Sequence, residues 1–398
     1  MKNNKEILGV YPIFFCYAFY LSMLGQLVPY LQQKYGLVLM GAGLFSTLQS
    51  VGGIAAVCIY IMYLDWVSKP KLLAVLGIVF GIQMAFVGMM PTFLLACLLF
   101  VLIGFVNSFV NALSNAVVSD YTMEQRGLYL NLLHGFFGLG GAVGSQAAGF
   151  IKGVAGIEQT FLWFGVIAAG FAFSYHLLLR RGMQFPVVAV RQSSAVRLHV
   201  LKQAIKIPGM ISVVLVAFFN AFVLINVLYF TYSYVYGLSG NIRISAAAIT
   251  VFFVFMALSR FIGTKLTKRL TPKQFVFWGS LLGFGAYIIA GLTVNVFVVV
   301  AMIGMLGFFT GNHLPQITNA ACSIIPETSA AATGLITLGY FLATIVASPI
   351  IGWVGDAFSL KHALMVNALM LVPAAMLSLK MGSGKLINHK EYQLNIKI

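Results

Sequence analysis

The sequence predicts an all-α membrane protein with twelve transmembrane helices in two pseudo-symmetric six-helix bundles. Three observations predict it: the scarcity of charge, apolar stretches of membrane-spanning length along the whole chain, and a self-similarity between the two halves. Of 398 residues, 61% are hydrophobic and 8% are charged. Soluble domains carry about 25% charged residues, so this chain cannot clothe a water-facing surface. An apolar run of about 20 residues crosses a ~30 Å hydrocarbon core as a helix. Helices are required because a lipid-buried backbone must satisfy its own hydrogen bonds. A β-barrel would show alternating segments of about ten residues instead, and the unbroken apolar runs exclude it.

The twelve spans are placed at 8–31, 38–63, 72–90, 93–118, 128–151, 158–179, 209–236, 245–266, 275–292, 295–318, 330–353 and 361–379. The net charge of +16 is distributed by side. With the N-terminus in the cytoplasm, only Lys34, Lys152, Arg243 and Lys361 of the 24 basic residues fall outside. That asymmetry follows the positive-inside rule and places both termini in the cytoplasm of a cell-membrane protein. The basic charge is therefore a topology signal, and nucleic acid is not an expected partner. The first apolar run contains Pro12 and Gln26 and lacks a small-residue cleavage site, which reads as an uncleaved first span. Cys16, Cys58, Cys97 and Cys322 lie in apolar spans without metal-ligand spacing. They read as small hydrophobes, and neither metal nor cofactor is expected.

The one long polar interruption, residues 180–207, divides the chain. The expected organisation is an N-terminal bundle at 1–180, a cytoplasmic linker at 181–207, and a C-terminal bundle at 208–398 with a short cytoplasmic tail. A shift of 203 residues brings Gly104-Phe105 onto Gly307-Phe308, Glu124 onto Glu327, Leu132 onto Leu335, Ser145 onto Ser348 and Gly149 onto Gly352. Two parallel repeats of six spans imply a solute site at the midplane, between the halves.

No enzyme motif appears: there is no GxSxG, GxxxxGK[ST] or HExxH. All eight acids map to loops or helix ends, so the intramembrane carboxylates common in proton relays are missing. The mid-span polar residues are neutral. Span 4 carries Asn107, Asn111 and Asn115 at four-residue spacing, hence on one face. Span 1 has Tyr17, Tyr20 and Gln26, and span 5 has Asn131 and His134. Span 7 has Asn220, Asn226 and Tyr229, and span 10 has Asn312, His313 and Gln316. Amides and aromatic rings together suit a neutral, hydroxyl-rich solute. The plain alternative is helix-to-helix hydrogen bonding. Asn226 and Tyr229 are expected to share a face, as are Asn312 and Gln316. His134 and His313 are the deep histidines; each reads first as a structural group and second as a proton carrier. Gly140 and Gly144 of span 5 are spaced for close helix packing.

These runs carry a family resemblance. The loop YLDWVSKPK after span 2 resembles the major facilitator signature GxLaDrxGrr, with Ile61 and Ser68 at its glycine positions; RFIGTKLTKRLTPK is its second-half counterpart. GFVNSFVNALSNAVVSD with LYLNLLHGFFGLGGAVGS resembles spans 4 and 5 of the fucose-permease-like sugar:proton symporter branch. GFFTGNHLP, GLITLGYF and PIIGWVGD resemble its spans 10 and 11. The resemblance implies a secondary transporter or facilitator of a small polar solute, a sugar or sugar-like metabolite, working by alternating access. It also implies a gate at Asp65, Lys69, Arg126, Arg260 and Gly263, with Asp65 reaching the N-terminus of span 11 near residues 328–330. The chain departs from the branch at Asn111 and Val223, where acids are usual, and at Ser145, where a proline is common. Proton coupling is therefore expected to be absent or histidine-dependent. The rival reading is efflux of amphipathic drugs or lipids, which 34 Phe and 17 Met leave open; a non-transporting receptor is more remote. Expected partners are the solute and the lipid bilayer, with a monomer as the working unit.

Overall fold

The computed structural model describes residues 5–63, 67–121, 126–180, 202–266, 269–324 and 329–382. Asp65, Glu124, Glu327, residues 181–201 of the expected linker and the tail beyond residue 382 lie outside these. The side chains of Arg126 and Asn131 are likewise outside the description.

Eleven helices among the described residues are long and apolar enough to cross a membrane. One of them, Arg126–Arg180, bends at Gly156, whose φ of 85° leaves the helical region. That break divides it into spans 5 and 6 and gives the twelve predicted spans. Span 1 is Val10–Tyr35, span 2 Leu39–Tyr63, span 3 Lys69–Val87 and span 4 Phe93–Tyr121. Span 7 is Met210–Ser239, span 8 Ile242–Leu266, span 9 Pro272–Leu292 and span 11 Ser329–Ala357. Spans 10 and 12 differ from the continuous helices expected. Span 10 is two helices, Val296–Thr310 and His313–Ile324, around a turn at Gly311–Asn312. Span 12 is Leu360–Leu369 followed by Leu371–Ser378.

The helix ends follow from local chemistry. Thr271 and Gln274 form a capping box ahead of span 9, with Pro272 at the first helical position. Asn295 accepts from the amides of Phe297 and Val298 at the start of span 10, and Ser359 accepts from that of His362 at the start of span 12. Each satisfies amides that have no partner within the helix.

The 203-residue repeat is visible in the packing. A Cβ on Gly104 would collide with the carbonyl of Gln49, and one on Gly307 with that of Phe252. Both members of the second pair lie 203 residues beyond those of the first. Contacts across the halves repeat in the same way, with the partners exchanged. Thr47 Oγ1 donates to the Ile345 carbonyl, and Thr250 Oγ1 donates to the Ala142 carbonyl. Gly149 packs on Ile242 and Ala246, and Gly352 packs on Leu39. Such exchange is what a two-fold relation between two bundles requires.

The hydrogen bonds joining the halves, among the described residues, occupy one part of the molecule. They run from the end where span 2 begins to about mid-length. At that end the Asp356 carboxylate accepts from the amides of Leu39 and Met40, both at 2.8 Å. This caps span 2 with an acid from span 11. Ser145 Oγ donates to the Ala246 carbonyl at 3.0 Å, and Gln146 Nε2 to that of Arg243 at 3.4 Å. Ser46, Thr47 and Ser50 bond span 2 to span 11 at Thr344 and Ile345. The bundles are thus shut at the end where Lys34, Arg243 and Lys361 lie, opposite the end at which residues 5 and 202 begin.

Candidate functional site

The polar residues of the halves meet at mid-length, beneath this closed end. A bridge crosses first: Tyr20 OH donates to Gln49 Oε1 at 2.8 Å, and Gln49 Nε2 donates to Tyr229 OH at 2.6 Å. Both tyrosines are fully buried. Span 1, span 2 and span 7 are thereby tied across the boundary. Next, Phe137 of span 5 packs against both Tyr17 and Phe14, with ring centroids 6.0 and 5.5 Å away. His134 meets Phe14 edge-on at 5.8 Å. From the other half, Phe253 approaches Phe137 at 6.1 Å, and the Arg260 guanidinium lies 5.6 Å from its ring centroid. That distance is within the range of a cation–π contact.

The charge count places Arg260 on the cytoplasmic side, and the family resemblance implies a gate role for it. Its side chain projects from span 8 into the bundle. Its Nε donates to the Gly311 carbonyl at 3.2 Å, at the turn that breaks span 10. A cation is favoured there by the carbonyls that end a helix. Arg260 also lies within electrostatic range of His134 and Tyr340. A network continues behind it. Asn220 Nδ2 donates to Tyr340 OH at 2.6 Å, and Asn220 Oδ1 pairs with His313 Nδ1 at 2.9 Å. His313 is fully buried, with no partner at Nε2. Tyr17, His134, Arg260, Asn220 and His313 are therefore brought into one neighbourhood. Phe137, Tyr340 and Gln49 belong to it and were missed; Tyr340 stood in the quoted run GLITLGYF without attracting notice as a polar group.

Span 4 presents its asparagines as the spacing predicts. Leu94, Leu98 and Leu102 form its exposed apolar stripe. At about 100° per residue, Asn111 lies half a turn round from Leu102. It is exposed. Asn115 Nδ2 donates to the Asn111 carbonyl at 2.8 Å. Asn107, one turn away, is buried with no partner at Oδ1.

Other expected site residues occupy seams. Asn226 does not share Tyr229's setting. Its Nδ2 donates to the Phe222 carbonyl and to Asn367 Oδ1 of span 12, at 2.9 and 3.2 Å. Asn367 in turn donates to the Val223 carbonyl and Tyr287 OH. The two residues are about 60° apart on the helix, enough to separate a seam from a boundary. Gln26 donates to the Ser145 carbonyl at 2.9 Å, inside the first half. Asn312 packs on Gly263, where a Cβ would strike its side-chain amide. Gln316 is buried in the second part of span 10, and its backbone N–H donates to the backbone carbonyl of Asn312. Lys69 pairs with Asp120 of span 4 at 2.6 Å, within one half. Gly263 likewise packs within one half.

Asn226→Ala should therefore act on stability. Loss of the bond to Asn367 is expected to cost about 1 kcal/mol, seen as a lower melting temperature with solute affinity unchanged. Asn111→Ala should do the opposite, leaving melting unchanged and weakening binding. Thermal unfolding and ligand titration of both variants check this.

A many-spanned helical protein, closed at one end with polar groups gathered between two repeats, has the architecture of a membrane carrier. The model of the Major Facilitator Superfamily matches residues 10–288 and 241–386. The chain belongs to this superfamily. No curated protein matches it in sequence. Among solved structures, it is similar to a D-xylose-proton symporter, with a TM-score of 0.76 and 14% identity over 96% of this chain and 99% of the other. It is also similar to a bacterial homologue of the human lysosomal transporter Spinster, at 0.75 and 16% over 94% and 95%. A third is the transporter FucP in its outward conformation, at 0.65 and 15% over 95% and 98%.

Proposed function

We propose that the protein moves a small polar solute, a sugar or sugar-like metabolite, across the cell membrane by alternating access. The observation that carries this reading is the meeting of polar and aromatic side chains from both halves around Phe137 and Arg260. They lie directly beneath the Tyr20–Gln49–Tyr229 bridge. A solute held there touches both bundles, so rocking of the bundles exposes it to one side and then the other. The closed end is taken as the outer one and the end near residues 5 and 202 as cytoplasmic, in keeping with the placement of the basic residues. Asp356 on the N-terminus of span 2 then serves the closed outer state. The role expected of Asp65 at the inner end is its counterpart. The D-xylose-proton symporter, similar in fold, is in keeping with this solute class.

A thermal-shift screen of the detergent-purified protein tests this reading. Binding to the folded state raises apparent stability by mass action. Sugars and sugar derivatives should raise the melting temperature, and amphipathic drugs should not. Stabilisation by drugs alone would put the efflux reading in its place.

A further inference from the structure

Arg260 holds more charge than its surroundings use. A guanidinium carries five N–H donors and cannot be deprotonated in a protein. The Gly311 carbonyl takes the Nε donor, and the Phe137 ring covers one face. Nη1 is buried and has no hydrogen-bond partner. The acids with described side chains are engaged elsewhere: Asp120 with Lys69, Glu158 with Lys34, and Asp356 on span 2. Nearby polar groups are neutral donors or acceptors, including Tyr340 OH, which accepts from Asn220. Removing a charge from water is costly unless it is paired. A cation held between the bundles, with an idle donor, is matched by an anion that comes and goes.

We propose that Arg260 receives a carboxylate or phosphate group on the transported solute, so that the substrate is an anionic metabolite such as a sugar acid or a sugar phosphate. This rests on the transport reading above and narrows it, replacing the neutral solute expected from the sequence. The planar fork of arginine binds either oxyanion with two parallel hydrogen bonds. Nε capping of the span 10 turn fixes the fork's direction. Because Arg260 is on span 8 and Phe137 on span 5, the anion's site lies where the two halves touch. Its arrival neutralises a charge at that boundary.

The test uses full-length protein in detergent, wild type and Arg260→Gln, with matched probes: galactose against galacturonate, glycerol against glycerol 3-phosphate, and sulfate against chloride at equal ionic strength. The wild type should be stabilised by at least one anionic member over its neutral partner, and by sulfate over chloride. Which pair responds separates carboxylate from phosphate. Arg260→Gln should lose the sulfate effect and bind the anionic member about ten- to a hundredfold more weakly. An anion response equal in both proteins overturns the proposal. Should Arg260→Gln fail to fold, the wild type decides: anionic members no better than neutral ones, with sulfate no better than chloride, also overturn it. Exchange in liposomes is read separately. Anion binding that depends on Arg260 but is never accompanied by exchange leaves this site standing and removes the transport reading.

Discussion

A disulfide between Gly149→Cys and Ala246→Cys is expected to stop transport, and a reductant to restore it. These positions face each other across the halves near the closed end, where a Cβ built on Gly149 falls 2.9 Å from that of Ala246. Disulfide-linked Cβ atoms lie about 3.8 Å apart, so a small outward shift lets the bond form. The background should lack Cys16, Cys58, Cys97 and Cys322, which are free thiols. Alternating access requires this end to open once per cycle, and a covalent tie between span 5 and span 8 forbids it. Complete cross-linking, scored by mobility on a gel, should reduce solute exchange to background. Undiminished exchange by fully cross-linked protein would mean that these spans do not separate.

The second large effect is on folding. Gly104→Leu should abolish recovery of monodisperse protein, and Gly307→Leu should do the same. In each case the new side chain must displace a backbone carbonyl of the adjacent span, Gln49 in one half and Phe252 in the other. A helix backbone cannot yield as a flexible side-chain tip can, so the cost should reach or exceed about 3 kcal/mol, the upper end of ordinary overpacking. Gly170→Leu is the control, since a Cβ there meets open space, and it should leave yield and melting unchanged. Size-exclusion profiles of the three variants check the expectation. Normal behaviour of Gly104→Leu would contradict the close approach of spans 2 and 4.

The spans were legible because each is a long apolar segment, and composition alone reports such segments. The repeat was legible because equivalent glycines must meet equivalent carbonyls, as Gly104 and Gly307 do. The break in span 10 was not read, although GFFTGNHLP carries Gly311, Asn312 and Pro315, residue types that punctuate helices. What opens it is a set of tertiary contacts: Arg260 on the Gly311 carbonyl and Asn312 against Gly263. The asparagines of span 4 could be placed on one face from spacing alone. Asn226 could not be placed, since its seam is defined by Asn367, 141 residues away. The inward turn of Arg260 was not legible for a related reason. Charge counting assigns a side to each basic residue near a span end and does not register which way its side chain points. The device expected at Asp65, an acid on the N-terminus of a helix in the other half, is present at the opposite end of the molecule with Asp356. A helix terminus can be capped only by an acid that the packing delivers, and sequence does not show which one arrives.

The central claim is that one site between the bundles carries a polar solute across the membrane. Counterflow in proteoliposomes tests it most directly. Vesicles are loaded with the unlabelled solute that most stabilises the purified protein, and the same solute, labelled, is supplied outside. The account predicts saturable entry of label, driven by exchange. It also predicts that the Gly149–Ala246 cross-link blocks entry. Failure to exchange any polar solute, in vesicles that do move a labelled amphipathic drug or lipid, would contradict it.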